Sequence, residues 1–166
     1  MRSIIHFLSA CLLLLATTAA FGQMEYNATG GIALTPEVVG TVDLPDGNVL
    51  VKTMSSGFIW TNEEGIVGGN GSMDCSNFST VGPEGDQLDG AGTCVGLDPD
   101  GDLWWSWATG AGEGEWGLTG GTGKYAGING GGTWKVQVQF ADGKVTNEWQ
   151  GTWTIPAMEM ASPEME

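Results

Sequence analysis

The stretch TWKVQVQFADGKVTNEWQGTWTI, residues 133–155, decides how this chain is read. Trp134, Val136, Val138 and Phe140 alternate with Thr133, Lys135, Gln137 and Gln139, the period of a strand with one apolar and one polar face. Asp142-Gly143 is hairpin-turn chemistry. Beyond it Val145, Asn147, Trp149, Gly151, Trp153 and Ile155 oppose Thr146, Glu148, Gln150, Thr152 and Thr154.

Working back towards the N-terminus, the same grammar repeats. Residues 113–119 and 102–109 read as strands, the latter placing Leu103, Trp105 and Trp107 on one face and Trp104 on the other. Asp98-Pro99-Asp100-Gly101 turns the chain between residues 87–97 and 102–109, and Pro83-Glu84-Gly85 separates residues 73–80 from 87–97. Gly90, Gly92 and Gly96 share a face of their strand, which suggests a bend or a close neighbour. Residues 58–61 read as a short strand and residues 49–51 as the start of another. Pro45-Asp46-Gly47 precedes them, and Val38, Gly40, Val42 and Leu44 line up on one face before that turn. Residues 23–36, rich in Gly, Asn and Thr, read as a loose leading segment, and residues 157–166 as a disordered tail. The expectation is a single all-β domain over residues 37–156: a small antiparallel closed β-barrel of about eight strands with hairpin connections. Closure is favoured because it removes exposed sheet edges.

The first 22 residues read as a secretion signal. Arg2 is the positive region, Ile4 to Ala16 the apolar region, and Ala20-Phe21-Gly22 a small-residue cleavage site. Leu8-Ser9-Ala10-Cys11 offers the competing reading of a lipoprotein box, although its strongest apolar run lies after the cysteine. Cleavage after Gly22 removes the sole His6 and the sole Arg2. Four lysines (Lys52, Lys124, Lys135, Lys144) then face 20 acidic residues, and the formal charge moves from −15 to −16. Nucleic-acid binding, histidine catalysis and histidine-ligated zinc are excluded for that mature chain. No further apolar run reaches membrane-spanning length, and no residue pattern calls for a cofactor. Cys75 and Cys94 remain as the two cysteines of an exported chain. They lie nine and ten residues from Glu84, so a hairpin about that turn brings them nearly opposite and predicts a disulfide.

The phrase Gly120-Gly121-Thr122-Gly123-Lys124-Tyr125-Ala126-Gly127-Ile128-Asn129-Gly130-Gly131-Gly132-Thr133-Trp134 resembles the glycine-rich signature of allene oxide cyclase and dirigent-like barrels. Gly120, Gly121, Gly123, Tyr125, Gly127, Gly130 and Gly132 carry the match. Together with the Asp98–Asp102 turn and the Trp149 to Trp153 strand, it is similar to small secreted bacterial members of that superfamily with no assigned function. The resemblance implies an antiparallel, roughly eight-stranded barrel with a narrow apolar interior, and a short turn or helical crossover leading into a late strand. Dirigent-like sites are expected to use arginine beside carboxylates, and the mature chain has none, so no catalytic residue carries over.

Several residues invite chemistry. Asp98, Asp100 and Asp102 alternate around a turn glycine as in calcium loops, but the glycine and glutamate of an EF-hand would fall on Leu103 and Thr109. Hairpin geometry explains the same residues. Glu113 and Glu115 share a strand face; inside a barrel they would couple as proton donor and acceptor, and outside they are a solvated face opposite Trp116 and Leu118. Gly121-Thr122-Gly123-Lys124 fails the P-loop spacing. Trp104, Trp105 and Trp107, with Glu113 and Glu115, are therefore the candidate ligand-binding residues. The function expected is a secreted, non-enzymatic barrel that binds an apolar or aromatic small molecule. An isomerase or cyclase-like enzyme and a carbohydrate-binding module are the alternatives.

Overall fold

The computed structural model describes residues 22–157; the segment up to Phe21, read above as a secretion signal, and the residues beyond Ala157, read as a disordered tail, lie outside the described residues. Eight strands run in chain order: β1 Gln23–Asp43, β2 Val49–Thr61, β3 Gly71–Val81, β4 Gln87–Leu97, β5 Leu103–Ala111, β6 Glu113–Gly121, β7 Asn129–Gln139 and β8 Val145–Pro156. Each pairs antiparallel with the next, and β8 returns to β1, so the sheet is a closed barrel. The expected all-β closed barrel is thus present. A single turn of 3-10 helix, Gly123–Tyr125, bridges β6 and β7 within the glycine-rich phrase. No described helix is long and apolar enough to cross a membrane.

Four of the hairpins use one turn. Gly47, Gly85, Gly101 and Gly143 each donate a backbone hydrogen bond to the residue three positions earlier, Leu44, Gly82, Asp98 and Phe140 respectively. All four glycines have φ between +86° and +93°, the left-handed conformation that closes a type I turn into a strand. The Pro-Asp-Gly, Pro-Glu-Gly and Ala-Asp-Gly phrases of the sequence are these turns.

Two sequence expectations change. Residues 23–36 are not a loose segment; they form the first two-thirds of the 21-residue β1. Residues 23–34 of that strand pair with β8 and residues 30–43 with β2, so the long strand itself closes the barrel. Its threonines, glycines and asparagine hide the strand because no regular apolar alternation marks it. The second change is that residues 49–51 and 58–61 belong to one continuous strand, β2. A register shift between Val38 and Gly40 also breaks the expected apolar face of residues 38–44, and residues 37–43 are exposed throughout.

The core is organised by tryptophan. Every one of the eight tryptophans is paired across a strand boundary with a glycine: Trp60 with Gly31, Trp104 with Gly96, Trp105 with Gly120, Trp107 with Gly117, Trp116 with Gly132, Trp134 with Gly114, Trp149 with Gly30 and Trp153 with Gly130. A methyl group on Gly31 or Gly96 would sit inside the facing indole. Trp104, Trp149 and Trp153 are buried, and Trp116 and Trp134 pack on the same core. Cys75 and Cys94 face inward, directly opposite in the β3–β4 register, and are joined by a disulfide with a Cα–Cα distance of 4.1 Å.

Gly96→Ala is expected to cost about 1–3 kcal/mol, because the added methyl would fall within the buried Trp104 ring and force it from its place. Gly40→Ala, whose added methyl meets nothing within 4 Å, is expected to be neutral or slightly stabilising, by up to about 1 kcal/mol. Equilibrium denaturation of the two variants checks the contrast; equal effects would show that the glycine–indole contact does not matter. Reducing the disulfide, which links residues 19 apart, is expected to lower stability by about 3 kcal/mol in the chain-entropy model. Denaturant titration with and without reductant measures this, and coincident curves would refute it.

Candidate functional site

The barrel interior holds a cavity of about 640 Å³. It reaches the end of the barrel formed by the β1–β2, β3–β4, β5–β6 and β7–β8 hairpins, where Gln87, Gly112, Gln139 and Gly143 line it. The opposite end is plugged. Tyr125, Ile128 and Ile155 are buried there, and Trp153 Nε1 donates to the Val67 carbonyl at 3.1 Å, which draws the β2–β3 loop across the opening.

Register gives the two walls different chemistry. From β2 to β5 one inward row runs Ser55, Cys75, Cys94 and Ser106, and the row nearer the mouth runs Thr53, Asn77, Gly92 and Ala108. The facing wall is indole. Trp116, Trp149 and Trp153 meet at steep angles with ring centres 6.0–6.5 Å apart. Their N–H groups, and that of Trp134, are spent on backbone carbonyls of Thr133, Gly31, Val67 and Thr109. Two cavity residues are left unanswered: Trp104 Nε1 and Asn147 Oδ1 are buried without a partner among the described residues. Among the described residues, no ionisable side chain lines the cavity.

The residues singled out in the sequence are not brought together. Trp104 turns inward and is 3% exposed, whereas Trp105 and Trp107 lie on the outer surface at 38% and 37%. Glu113 and Glu115 are also outside, exposed and opposite Lys135 and Thr133. The barrel wall separates Trp104 from the other four, because neighbouring strand residues point to opposite faces. The residues that do share the cavity are the tryptophans of the late strands, together with Ile32, Leu34, Met73, Asn77 and Ser106. The late alternation signalled the tryptophans; nothing signalled the inward hydroxyls and amide of β2, β3 and β5.

Asp98, Asp100 and Asp102 have a different task from the one their spacing suggests. Among the described residues no cluster of three or more His, Cys, Asp or Glu could hold a metal ion. The cation they bind is the chain's own Lys124, whose ammonium forms ion pairs with Asp98 and Asp100. Asp98 is buried, accepts from the Tyr125 hydroxyl at 3.0 Å, and accepts the Asp100 and Asp102 amides at 2.9 and 3.0 Å. Lys124 N donates to Asp102 at 3.2 Å, and Thr122 and Leu103 exchange two further bonds. The Lys-Tyr of the glycine-rich phrase is therefore a latch that ties the β6–β7 crossover to the β4–β5 turn at the plugged end.

Burial alone would raise the Asp98 pKa, but the hydrogen bonds from Lys124, Tyr125 and the two amides outweigh it and hold the carboxyl below its ordinary range. Burial, and then the bond to Asp98, push the Tyr125 hydroxyl upward; the bonds to Asp100 and Asp98 raise Lys124.

No protein-family model matches the chain, and no curated protein matches it. Among solved structures the barrel is similar to a pterocarpan synthase dirigent protein. The TM-score is 0.49 and the sequences are 16% identical, over 84% of this chain and 90% of that one.

Because the Asp98 pKa is lower folded than unfolded, its contribution to stability is complete above the unfolded carboxylate value of about 4 and fades as pH falls through the folded value. Asp98→Asn is expected to lose about 1–3 kcal/mol at neutral pH. The gap from the parent should narrow between about pH 5 and pH 2. Denaturation curves across that range decide it, and a gap independent of pH would exclude the ionised latch.

Proposed function

We propose that this protein is an exported, non-enzymatic barrel that binds an uncharged apolar or aromatic small molecule inside the cavity. The observation that carries the reading is the lining: a space of about 640 Å³ walled by indoles, aliphatic side chains and small neutral polar groups, with no ionisable side chain. A volume of this order suits a small organic ligand. Indole walls bury a flat apolar molecule well, and the unpartnered Trp104 N–H and Asn147 Oδ1 favour a ligand with a hydrogen-bonding group. A carboxylate would be taken out of water without a cation to meet it, which is strongly unfavourable. Binding is favoured over turnover because isomerisation or cyclisation by acid–base chemistry needs a proton donor or acceptor on the wall. The Cys75–Cys94 disulfide suits the oxidising compartment to which the signal-like N-terminus would direct the chain.

Two measurements test this. Native mass spectrometry of protein purified from its own host is expected to show a co-purified small molecule released on denaturation. Titration with N-phenyl-1-naphthylamine, an uncharged fluorophore, is expected to saturate at one site, whereas 1-naphthoate binds at least about tenfold more weakly. Ala108→Phe, which places a ring in the cavity, should abolish fluorophore binding without lowering the melting temperature. Absence of saturable binding, with no co-purified mass, would sink the proposal.

A further inference from the structure

The outer face of the barrel carries a second feature, separate from the cavity. Trp60 on β2 faces Gly31 on β1, and because glycine has no side chain the indole lies against the sheet with its other face in solvent; the residue is 40% exposed. From Gly31 the outward register continues to Glu148 on β8 and Lys135 on β7. One pair along, Thr29 leads to Gln150 and Thr133. A surface groove of about 930 Å³ follows these rows and has Trp60 on its rim.

Two pairs of its polar side chains hold each other in place. Gln150 Nε2 donates to Thr133 Oγ1 at 3.2 Å, which leaves its carbonyl oxygen turned away from that bond. Gln137 Nε2 donates to one oxygen of Glu148 at 2.6 Å, and the carboxylate keeps its second oxygen. The groove therefore combines one flat apolar platform with oriented amide and carboxylate acceptors and a single ammonium donor. Strands lie about 4.8 Å apart, so the four spacings from β2 to β6 span roughly 19 Å.

We propose that this groove binds a neutral carbohydrate chain, with a pyranose ring stacked on the outer face of Trp60. A pyranose presents a face of C–H groups, which pack on the electron-rich face of an indole, and a rim of hydroxyls, which need planar acceptors and donors at its edge. The groove supplies both. Glu113, Glu115 and Glu148 against the one Lys135 disfavour acidic sugars and phosphorylated ligands. A protein partner would require more apolar surface than a single indole provides. Trp105 and Trp107, where the sequence places a sugar platform, also lie over glycines. Val95, Leu97 and Leu103 surround Trp105, and Thr93 stands opposite Trp107.

Affinity electrophoresis of the oxidised mature protein through gels containing laminarin, xylan or polygalacturonate tests the site. Retardation by laminarin or xylan and none by polygalacturonate is the expected result. Trp60→Ala should weaken the retarding interaction at least about tenfold, while N-phenyl-1-naphthylamine binding in the cavity stays as in the parent. If Trp60→Ala fails to fold, the exposed variants Gln150→Ala and Glu148→Ala carry the test, each expected to weaken the same glycan about three- to tenfold. The proposal is overturned if neither neutral glycan retards the parent protein, if polygalacturonate retards it equally, or if retardation survives all three substitutions. None of these outcomes touches the interior ligand, whose own titration is read separately.

Discussion

An indole lying along a sheet is wider than the spacing between strands, so the strand beside it must have no side chain where the ring falls. That steric requirement organises this barrel. All eight tryptophans meet it with a glycine across the strand boundary, three on the outer face and five on the inner. The outer rings are half-covered, because one face rests on the glycine backbone. The inner rings reach across their neighbours: Trp116 spans the facing pair Gly132–Gly151 and meets Trp149 and Trp153 beyond it. Eight of the chain's glycines are thus the complement of its eight tryptophans.

The same constraint accounts for the cavity. Indoles gather on the strands β6 to β8, while β4 contributes Gly90, Gly92 and Gly96 on the inner side. One wall is thick and the other thin, and space is left between them. In the middle of the wall from β2 to β5 the inward side chains are short, apart from the disulfide, whose two sulfurs do the packing that a larger residue would otherwise do. A closed barrel of eight strands is just wide enough for side chains to fill it or for one small ligand to enter, and here the side chains leave a cavity of about 640 Å³.

The two ends of the barrel are built differently. At the hairpin end, the β1–β2, β3–β4, β5–β6 and β7–β8 turns leave the mouth lined by glycines and glutamines. At the other end a buried carboxylate, Asp98, collects the Tyr125 hydroxyl, the Lys124 ammonium and two backbone amides. With its charge paired and its oxygens occupied, Asp98 fastens the crossover that completes the sheet. Rigidity at that end and access at the other are consistent with the proposed interior ligand.

The strand alternation of residues 133–155, the turn phrases and the position of the cysteines were legible in the amino-acid sequence, because each depends on neighbours within a hairpin. Pairing of Cys75 with Cys94 follows from counting residues about one turn. Tertiary structure alone decided the rest. β1 was hidden because its inward positions alternate Tyr26, Ala28, Gly30 and Ile32, and the apolar signal is lost where a glycine makes room for Trp149 on another strand. The candidate residues Trp104, Trp105, Trp107, Glu113 and Glu115 are close in the chain but divided by the barrel wall. Lys124 reaches Asp98 only because the crossover and the β4–β5 turn meet at one end of the closed sheet. Local periodicity determines which face a residue occupies; what it meets there depends on distant strands, as with Gly30 beneath Trp149, 119 residues away, and only closure of the sheet brings those together.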